Sequence, residues 1–290
     1  MNIVIITDSS CDLPLDYINE NKIPALGLVC NFKGKDYIED FGKTLDHKEF
    51  YNKVREGEMP TTSQINSYRF VEEFEKHIKD GKSIIYLGFS SALSGTYNSA
   101  LIAREEVLER YPNADITVID TRSASMGVGL IVHYAYDMLN NGFSKEEIVN
   151  WVEDNKLRVN HWFTVDDLHH LKRGGRVSSA SAIVGTLLNI KPVLHVNNEG
   201  QLIPVSKVKG RKKAIRTLLD NLKAHIVEPE NQTIFISHGD CEEDALYLKS
   251  LIEKEYNVKG FKINFVGPVI GSHSGPGTLA LFFIGDTRNT

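Results

Sequence analysis

The chain has 290 residues, 41% of them hydrophobic and 24% charged, with 38 acidic against 33 basic side chains and a net charge of −5. This is the composition of a globular protein with material for two cores. The acidic balance excludes a general nucleic-acid binder, which would carry a basic surplus. No apolar run approaches the roughly 18 residues of a membrane span. Cys11, Cys30 and Cys241 lie too far apart for a zinc or redox CxxC spacing. The apolar run at 3–6 meets Asp8 too soon for a secretory signal. The expected compartment is therefore a reducing cytoplasm, with no stable membrane insertion.

Residues 3–6 read as a buried strand, and 24–30 and 32–37 as strands about a turn at Gly34. Asp46 and Glu49 form a capping box that opens a helix toward Arg55. Residues 67–79 place Phe70, Val71, Phe74 and Ile78 on one helical face. A strand at 83–87, a helix at 94–110, a strand at 116–119 and a helix at 124–139 follow. Strands separated by helices predict a mainly parallel, doubly wound sheet. A second capping box, Ser144 with Glu147, opens a helix ending near Lys156. The boundary between two α/β domains is expected there, giving 1–157 and 158–290. The second half reads as a strand at 159–165, helices at 166–172 and 179–188, and strands at 192–196 and 201–205 about the hairpin turn Asn197-Asn198-Glu199-Gly200. A helix at 211–226, a strand at 233–237, a helix at 242–255 and strands at 261–266 and 278–284 complete it. The hairpin makes this second sheet mixed.

Ligands of a doubly wound sheet bind outside the carboxyl ends of its strands. Four hydroxyl-rich segments fall there: Thr7–Asp12, Thr61–Gln64, Ser90–Thr96 and Asp120–Ser123. Helix capping explains any one of them. Their convergence on one edge points to a polar ligand. The segment around Ser94 ends a strand and starts a helix, where free N–H groups attract a carboxylate or phosphate. Neither a Walker loop nor a three-glycine dinucleotide fingerprint is present; Gly127-Val128-Gly129 and Gly275-Pro276-Gly277 both lack the third glycine. In the second half, Arg173 and Arg176 flank Gly174-Gly175, a turn that presents cations or simply caps a helix. His273 lies in the Gly/Pro-rich stretch 267–277, read as a loop where backbone approaches a ligand closely. No metal set is visible.

Two alternatives stay open on the residues alone. One is a serine hydrolase or acyltransferase using Ser91 or Ser94 with His273, although neither serine sits in G-x-S-x-G. The other is a binding module for an anionic metabolite at the Ser94 helix.

Five stretches together carry a specific resemblance: Ile6-Thr7-Asp8-Ser9-Ser10-Cys11-Asp12-Leu13-Pro14, Thr61-Thr62-Ser63-Gln64, Ser91-Ala92-Leu93-Ser94-Gly95-Thr96-Tyr97, Gly174-Gly175-Arg176-Val177-Ser178 and His273-Ser274-Gly275-Pro276-Gly277. In this order they resemble the DegV family of bacterial fatty-acid-binding proteins, over essentially the whole chain. The resemblance departs after Gly277, where the family pattern carries a further glycine and this chain has Thr278-Leu279-Ala280-Leu281. It implies two α/β domains holding a long-chain, palmitate-like fatty acid between them, with no other cofactor and no catalysis. It implies that Thr62, Ser94 and His273 hold the carboxylate. It also implies a fatty acid kinase subunit as partner, for which Arg173 and Arg176 are the expected docking residues. A protonated His273 would add a charge-assisted bond to the carboxylate.

Overall fold

The computed structural model describes residues 2–166, 168–177 and 189–288. Its strands are β1 (Ile3–Asp8), β2 (Ala25–Leu26), β3 (Val29–Phe32), β4 (Lys35–Ile38), β5 (Thr61–Ser63), β6 (Ser83–Gly88), β7 (Ile116–Asp120), β8 (Val159–Thr164), β9 (Ile190–Val196), β10 (Leu202–Lys209), β11 (Thr233–His238), β12 (Gly260–Phe265) and β13 (Leu279–Ile284). Its α-helices are α1 (Leu15–Glu20), α2 (His47–Arg55), α3 (Ser67–Lys79), α4 (Thr96–Arg110), α5 (Met126–Asn140), α6 (Lys145–Asn155), α7 (His169–Arg173), α8 (Arg211–His225), α9 (Glu242–Glu255) and α10 (Pro268–Ser274). The helix expected over 179–188 lies outside the described residues, as do Asp167 and Ser178.

The first sheet runs β2-β1-β6-β7 and is wholly parallel. Side chains alternate across it. Val4 and Ile6 join the core that holds α3 and α4, whereas Ile5 faces α5. The second sheet runs β10-β9-β8-β13-β11-β12, with β11 and β12 parallel and the other pairs antiparallel. One face carries Trp162, Ile234, Ile236, Leu281 and Phe283 against α8 and α9. The other carries Phe163, Leu194, Phe235, Ala280 and Phe282 against α5. The layers are therefore α3 and α4, the parallel sheet, α5 and α6, the mixed sheet, then α8 and α9. This is the α/β class expected, with a parallel and a mixed sheet.

Three features depart from the sequence reading. Residues 29–63 contribute a small antiparallel sheet, β4-β3-β5, beside the parallel one. Its β3–β4 turn has positive φ at both Lys33 and Gly34, as a type I′ hairpin demands. Helix α1 was not anticipated. The stretch 267–277, expected as a loop, contains α10: Pro268 supplies a preset first-turn φ, and Gly275 at φ +78° ends the helix. Smaller differences lie at element ends, such as α4 beginning at Thr96 instead of Ser94, α7 beginning at His169 instead of 166, and β10 running on to Lys209 instead of ending at 205.

Two polar clusters lie where the halves of the chain meet. The guanidinium of Arg288, 1% exposed, donates to the carbonyls of Val159, Arg122, Asn197 and Lys156 and to Ser123 Oγ. Bonds to carbonyls from both sides of the joint replace the water a buried cation loses. The second cluster is acidic. Asp12 accepts from Gly267 N–H and from the Ser125 hydroxyl, which also meets Ser237 Oγ at 2.9 Å. Glu39 accepts from the Ser9 hydroxyl. A Cβ at Gly267 would strike both carboxyls, so glycine alone lets them crowd this backbone. Burial pushes Asp12 up to about 7 against the pull of its two donors. Burial, then the neighbouring Asp12 charge, drives Glu39 well above the carboxylate range.

This acidic pair sets a pH dependence. A carboxyl with a raised folded pKa binds more protons folded than unfolded, so stability falls as pH rises from about 4, its unfolded value, through the folded value. Glu39→Gln removes the carboxyl that must take up a proton on burial and leaves an amide able to donate to its neighbour. Its Tm should exceed that of the wild type by about 2–6 °C at pH 8, with the gap closing toward pH 5. Calorimetry at both pH values checks this; a gap that widens toward acid refutes the assignment.

Candidate functional site

A cavity of about 360 Å³ lies between the mixed sheet and the first half of the chain. Strand register builds its floor. Ser237, Ala280 and Phe163 form one row across β11, β13 and β8. Phe282 and His161 form the next row on the same face. Phe89, Leu93, Leu28 and Val269 cover it from the other side, and Val196 and Leu202 close it from the β9–β10 hairpin. The hairpin turn is tied down by Ser90, which donates to Gly200 O, and by Arg122, which donates to Asn198 O. The walls are mainly apolar, and the volume falls in the range of small-ligand sites, roughly 300–1,000 Å³.

The polar residues gather where β5, α10 and the start of α4 meet. Strand β5 pairs with β3, Thr62 opposite Cys30. The residues after it lie along α4: Gln64 Nε2 donates to Ser99 Oγ, and Ile65 N–H reaches Thr96 Oγ1. Thr62 thus belongs to an edge strand of the small sheet, not to a loop ending the parallel one. Its Oγ1 meets His273 Nε2 at 2.8 Å, across 211 residues of sequence. His273 Nδ1 is buried against Gly174 and has no partner among the described residues. The tautomer that leaves no N–H stranded carries its proton on Nε2. The imidazole then donates to Thr62, and the Thr62 hydroxyl proton is free to turn into the cavity.

Ser94 lines the same cavity. Its hydroxyl accepts weakly from Thr96 N–H at 3.3 Å and meets Thr96 Oγ1 at 2.9 Å, so it stands beside the α4 N-terminus. Gly95 is the N-cap residue and provides no side-chain cap. Thr62, Ser94 and His273 are therefore brought to one place. Burial first, then the charges of Arg176 and Arg173, lower the His273 pKa to about 4, so of the two protonation states open on the sequence the structure favours the neutral ring. The ring is neutral at physiological pH.

The two arginines part company. Arg173 is exposed at the end of α7, its guanidinium 3.2 Å from His170 Nδ1. Arg176 is half-buried and lines the cavity. It donates to Leu93 O at 3.1 and 3.2 Å and to Gly174 O, tying the Ser94 loop to the α7 turn. Ser91 is exposed and donates to Asp120. Neither Ser91 nor Ser94 bonds to His273, so the described residues contain no serine–histidine pair of the kind a nucleophile needs.

Sequence reasoning missed several cavity residues. His161 and Phe163 are two apart on β8, a periodicity that was visible but carried no chemical signal. Ser125 and Ser237 had no sequence signature at all, and Ser274 stood in the quoted stretch 273–277 without a role of its own. Among the described residues there is no group of three or more His, Cys, Asp or Glu able to hold a metal ion.

A family model described as "Uncharacterised protein, DegV family COG1307" matches residues 2–286. The chain is 56% identical over 285 residues to a DegV domain-containing protein of Clostridium perfringens, covering 98% of each. It superposes on the crystal structure of DegV, a fatty acid binding protein from Bacillus subtilis, with a TM-score of 0.85 and 34% identity over 99% of this chain and 100% of that one. Against a DegV family protein from Thermus thermophilus, solved in a study of its fatty acid binding, the TM-score is 0.89 with 32% identity over 98% of this chain and 100% of the other. With most of its length matched in sequence and in fold, the chain belongs to the DegV family.

Proposed function

We propose that this protein is a cytoplasmic carrier that binds a long-chain fatty acid of the palmitate class and performs no chemistry on it. The observation that carries this reading is the apolar cavity with a hydroxyl and imidazole cluster at one end. The fatty acid binding of the Bacillus and Thermus relatives supports it. The carboxylate takes hydrogen bonds from the Thr62 and Ser94 hydroxyls, and His273 orients Thr62. The tail lies over Phe163, Ala280 and Phe282, between the halves 1–157 and 158–290. Each buried methylene contributes about 0.8 kcal/mol, so twelve contribute about 10 kcal/mol before ordering costs. The partner is an acyl kinase that docks at exposed Arg173 and phosphorylates the carboxylate. No helix among the described residues is long and apolar enough to cross a membrane.

Denaturing extraction of protein purified from cells should release fatty acid of roughly 14–18 carbons, the range that the family resemblance implies and that the burial of a dozen or more methylenes makes tight enough to co-purify. Added palmitate should raise Tm in a concentration-dependent way. Absence of both results removes the carrier reading. Thr62→Ala and Ser94→Ala should each weaken palmitate binding about ten-fold, since a buried acceptor loses about 1–3 kcal/mol with each neutral donor. His273→Ala should show a similar loss, constant between pH 6 and 8, because the neutral ring has no titration there. A loss that fades as pH rises through this range would instead show a ring charged in the complex.

The arginines give a separate test. Arg173→Ala should keep palmitate affinity and lose phosphorylation by the cognate acyl kinase. Arg176→Ala should weaken palmitate binding itself, because it frees the Leu93 carbonyl beside Ser94. Calorimetric titration and a coupled kinase assay on both variants separate docking from pocket roles; the reverse pattern would exchange the two assignments.

A further inference from the structure

Helix α10 carries two serines in different circumstances. Ser272 lies on the face turned to β3. Its hydroxyl donates to Pro268 O at 2.7 Å, one turn back, and sits 3.6 Å from Cys30 Sγ. Ser274 lies on the other face. Ile270, His273 and Ser274 have the i, i+3, i+4 spacing of one helical face, and all three line the cavity. Ser274 is 6% exposed, yet its hydroxyl has no hydrogen-bond partner among the described residues. Native folds rarely leave a buried hydroxyl unpaired unless something else meets it. The unpaired group is therefore a donor aimed into the ligand space, one residue from His273.

Carboxylate geometry says what it meets. An ionised carboxyl offers two oxygens and about four lone-pair sites. The Thr62 hydroxyl, backed by His273, and the Ser94 hydroxyl, beside α4, approach from the first half of the chain. Among the side chains of α10, His273 is turned to Thr62, which leaves the Ser274 hydroxyl as the donor on the second-half side. We propose that Ser274 is a further ligand of the fatty acid carboxylate, donating to it from the second half while Thr62 and Ser94 donate from the first. The inference rests on the fatty acid reading and extends it: the head group is gripped from both halves, so binding closes the joint.

An unpaired hydroxyl makes an unusual pair of expectations. Removing it should not harm the empty protein, but should weaken ligand binding. Delipidated Ser274→Ala should have a Tm equal to or above that of the wild type. Its affinity for palmitate should fall about ten-fold. The resonance of palmitate labelled with ¹³C at the carboxyl should also shift between the two complexes, which a change remote from the head group would not produce. Ser274→Thr, which restores the hydroxyl, should recover the wild-type resonance. Failure of wild-type protein to bind palmitate removes the fatty acid reading itself. Wild-type binding with an unchanged Ser274→Ala affinity and resonance overturns the Ser274 assignment alone. A fall in delipidated Tm, with affinity unchanged, makes the hydroxyl structural and overturns it as well.

Discussion

Helix α5 is buried from both sides, and the rest of the fold is arranged around that fact. It packs on β1 and β6 of the parallel sheet and on β8, β11 and β13 of the mixed sheet. Every residue from Met126 to Val132 is buried. A helix shared by two sheets has no polar face to give, which is why this stretch is apolar all round instead of amphipathic. Close approach also needs small residues. A Cβ at Gly127 would strike His161 Nε2, and one at Gly129 would meet Cys11 O at 2.6 Å. The Gly127-Val128-Gly129 pair, which lacks the third glycine of a nucleotide loop, is explained by helix-to-sheet contact. Beyond the N-terminal end of α5 the two sheets are no longer joined by packed side chains, and the cavity occupies that gap.

The same geometry accounts for the polar groups at the joint. Where the sheets diverge, loop carbonyls and carboxyls are buried without helices to satisfy them. Arg288 answers the carbonyls, and the Ser125 hydroxyl and Gly267 N–H answer Asp12. The Asp12–Glu39 pair is different, because two carboxyls crowd one glycine and both are pushed up. One of them retaining a proton is the least costly state for such a pair. The joint therefore holds by hydrogen bonds from the buried Arg288 cation and by apolar packing, with the Arg55–Asp240 ion pair at its exposed side.

Much of the scaffold was legible in the sequence because its signals are local. The face of Phe70, Val71 and Phe74 gave α3 its full length, and the Ser144–Glu147 box fixed the start of α6, where both reciprocal bonds are present. Short apolar runs between helical patterns gave most of the strands. What was not legible is non-local or compositionally disguised. Five of the seven residues of helix α10 are Pro, Gly, Ser or His, which read as loop when tertiary contacts are unknown. Its seven residues are held by packing on α7, α2, β3 and β5. The Thr62–His273 contact joins an edge strand to that hidden helix, so no spacing in the sequence encodes it. The ring's neutrality is likewise a property of its burial beside two arginines, which only the folded chain brings about.

That neutrality bears on how such a site handles an acid. A carboxylate paired with a charged imidazole in a dry cavity would be held by an ion pair whose desolvation offsets much of its attraction, and breaking it would leave a stranded charge. Hydroxyls and an oriented, uncharged ring avoid both difficulties. They satisfy the oxygens by hydrogen bonds of modest individual strength. Arg176 lies near enough to supply positive potential while three of its five donors are held by the Leu93 and Gly174 carbonyls. On the carrier reading, affinity then comes chiefly from the tail and orientation from the head. The head can exchange its partners without the tail leaving, a requirement for any carrier whose cargo must react in the grip of a second protein.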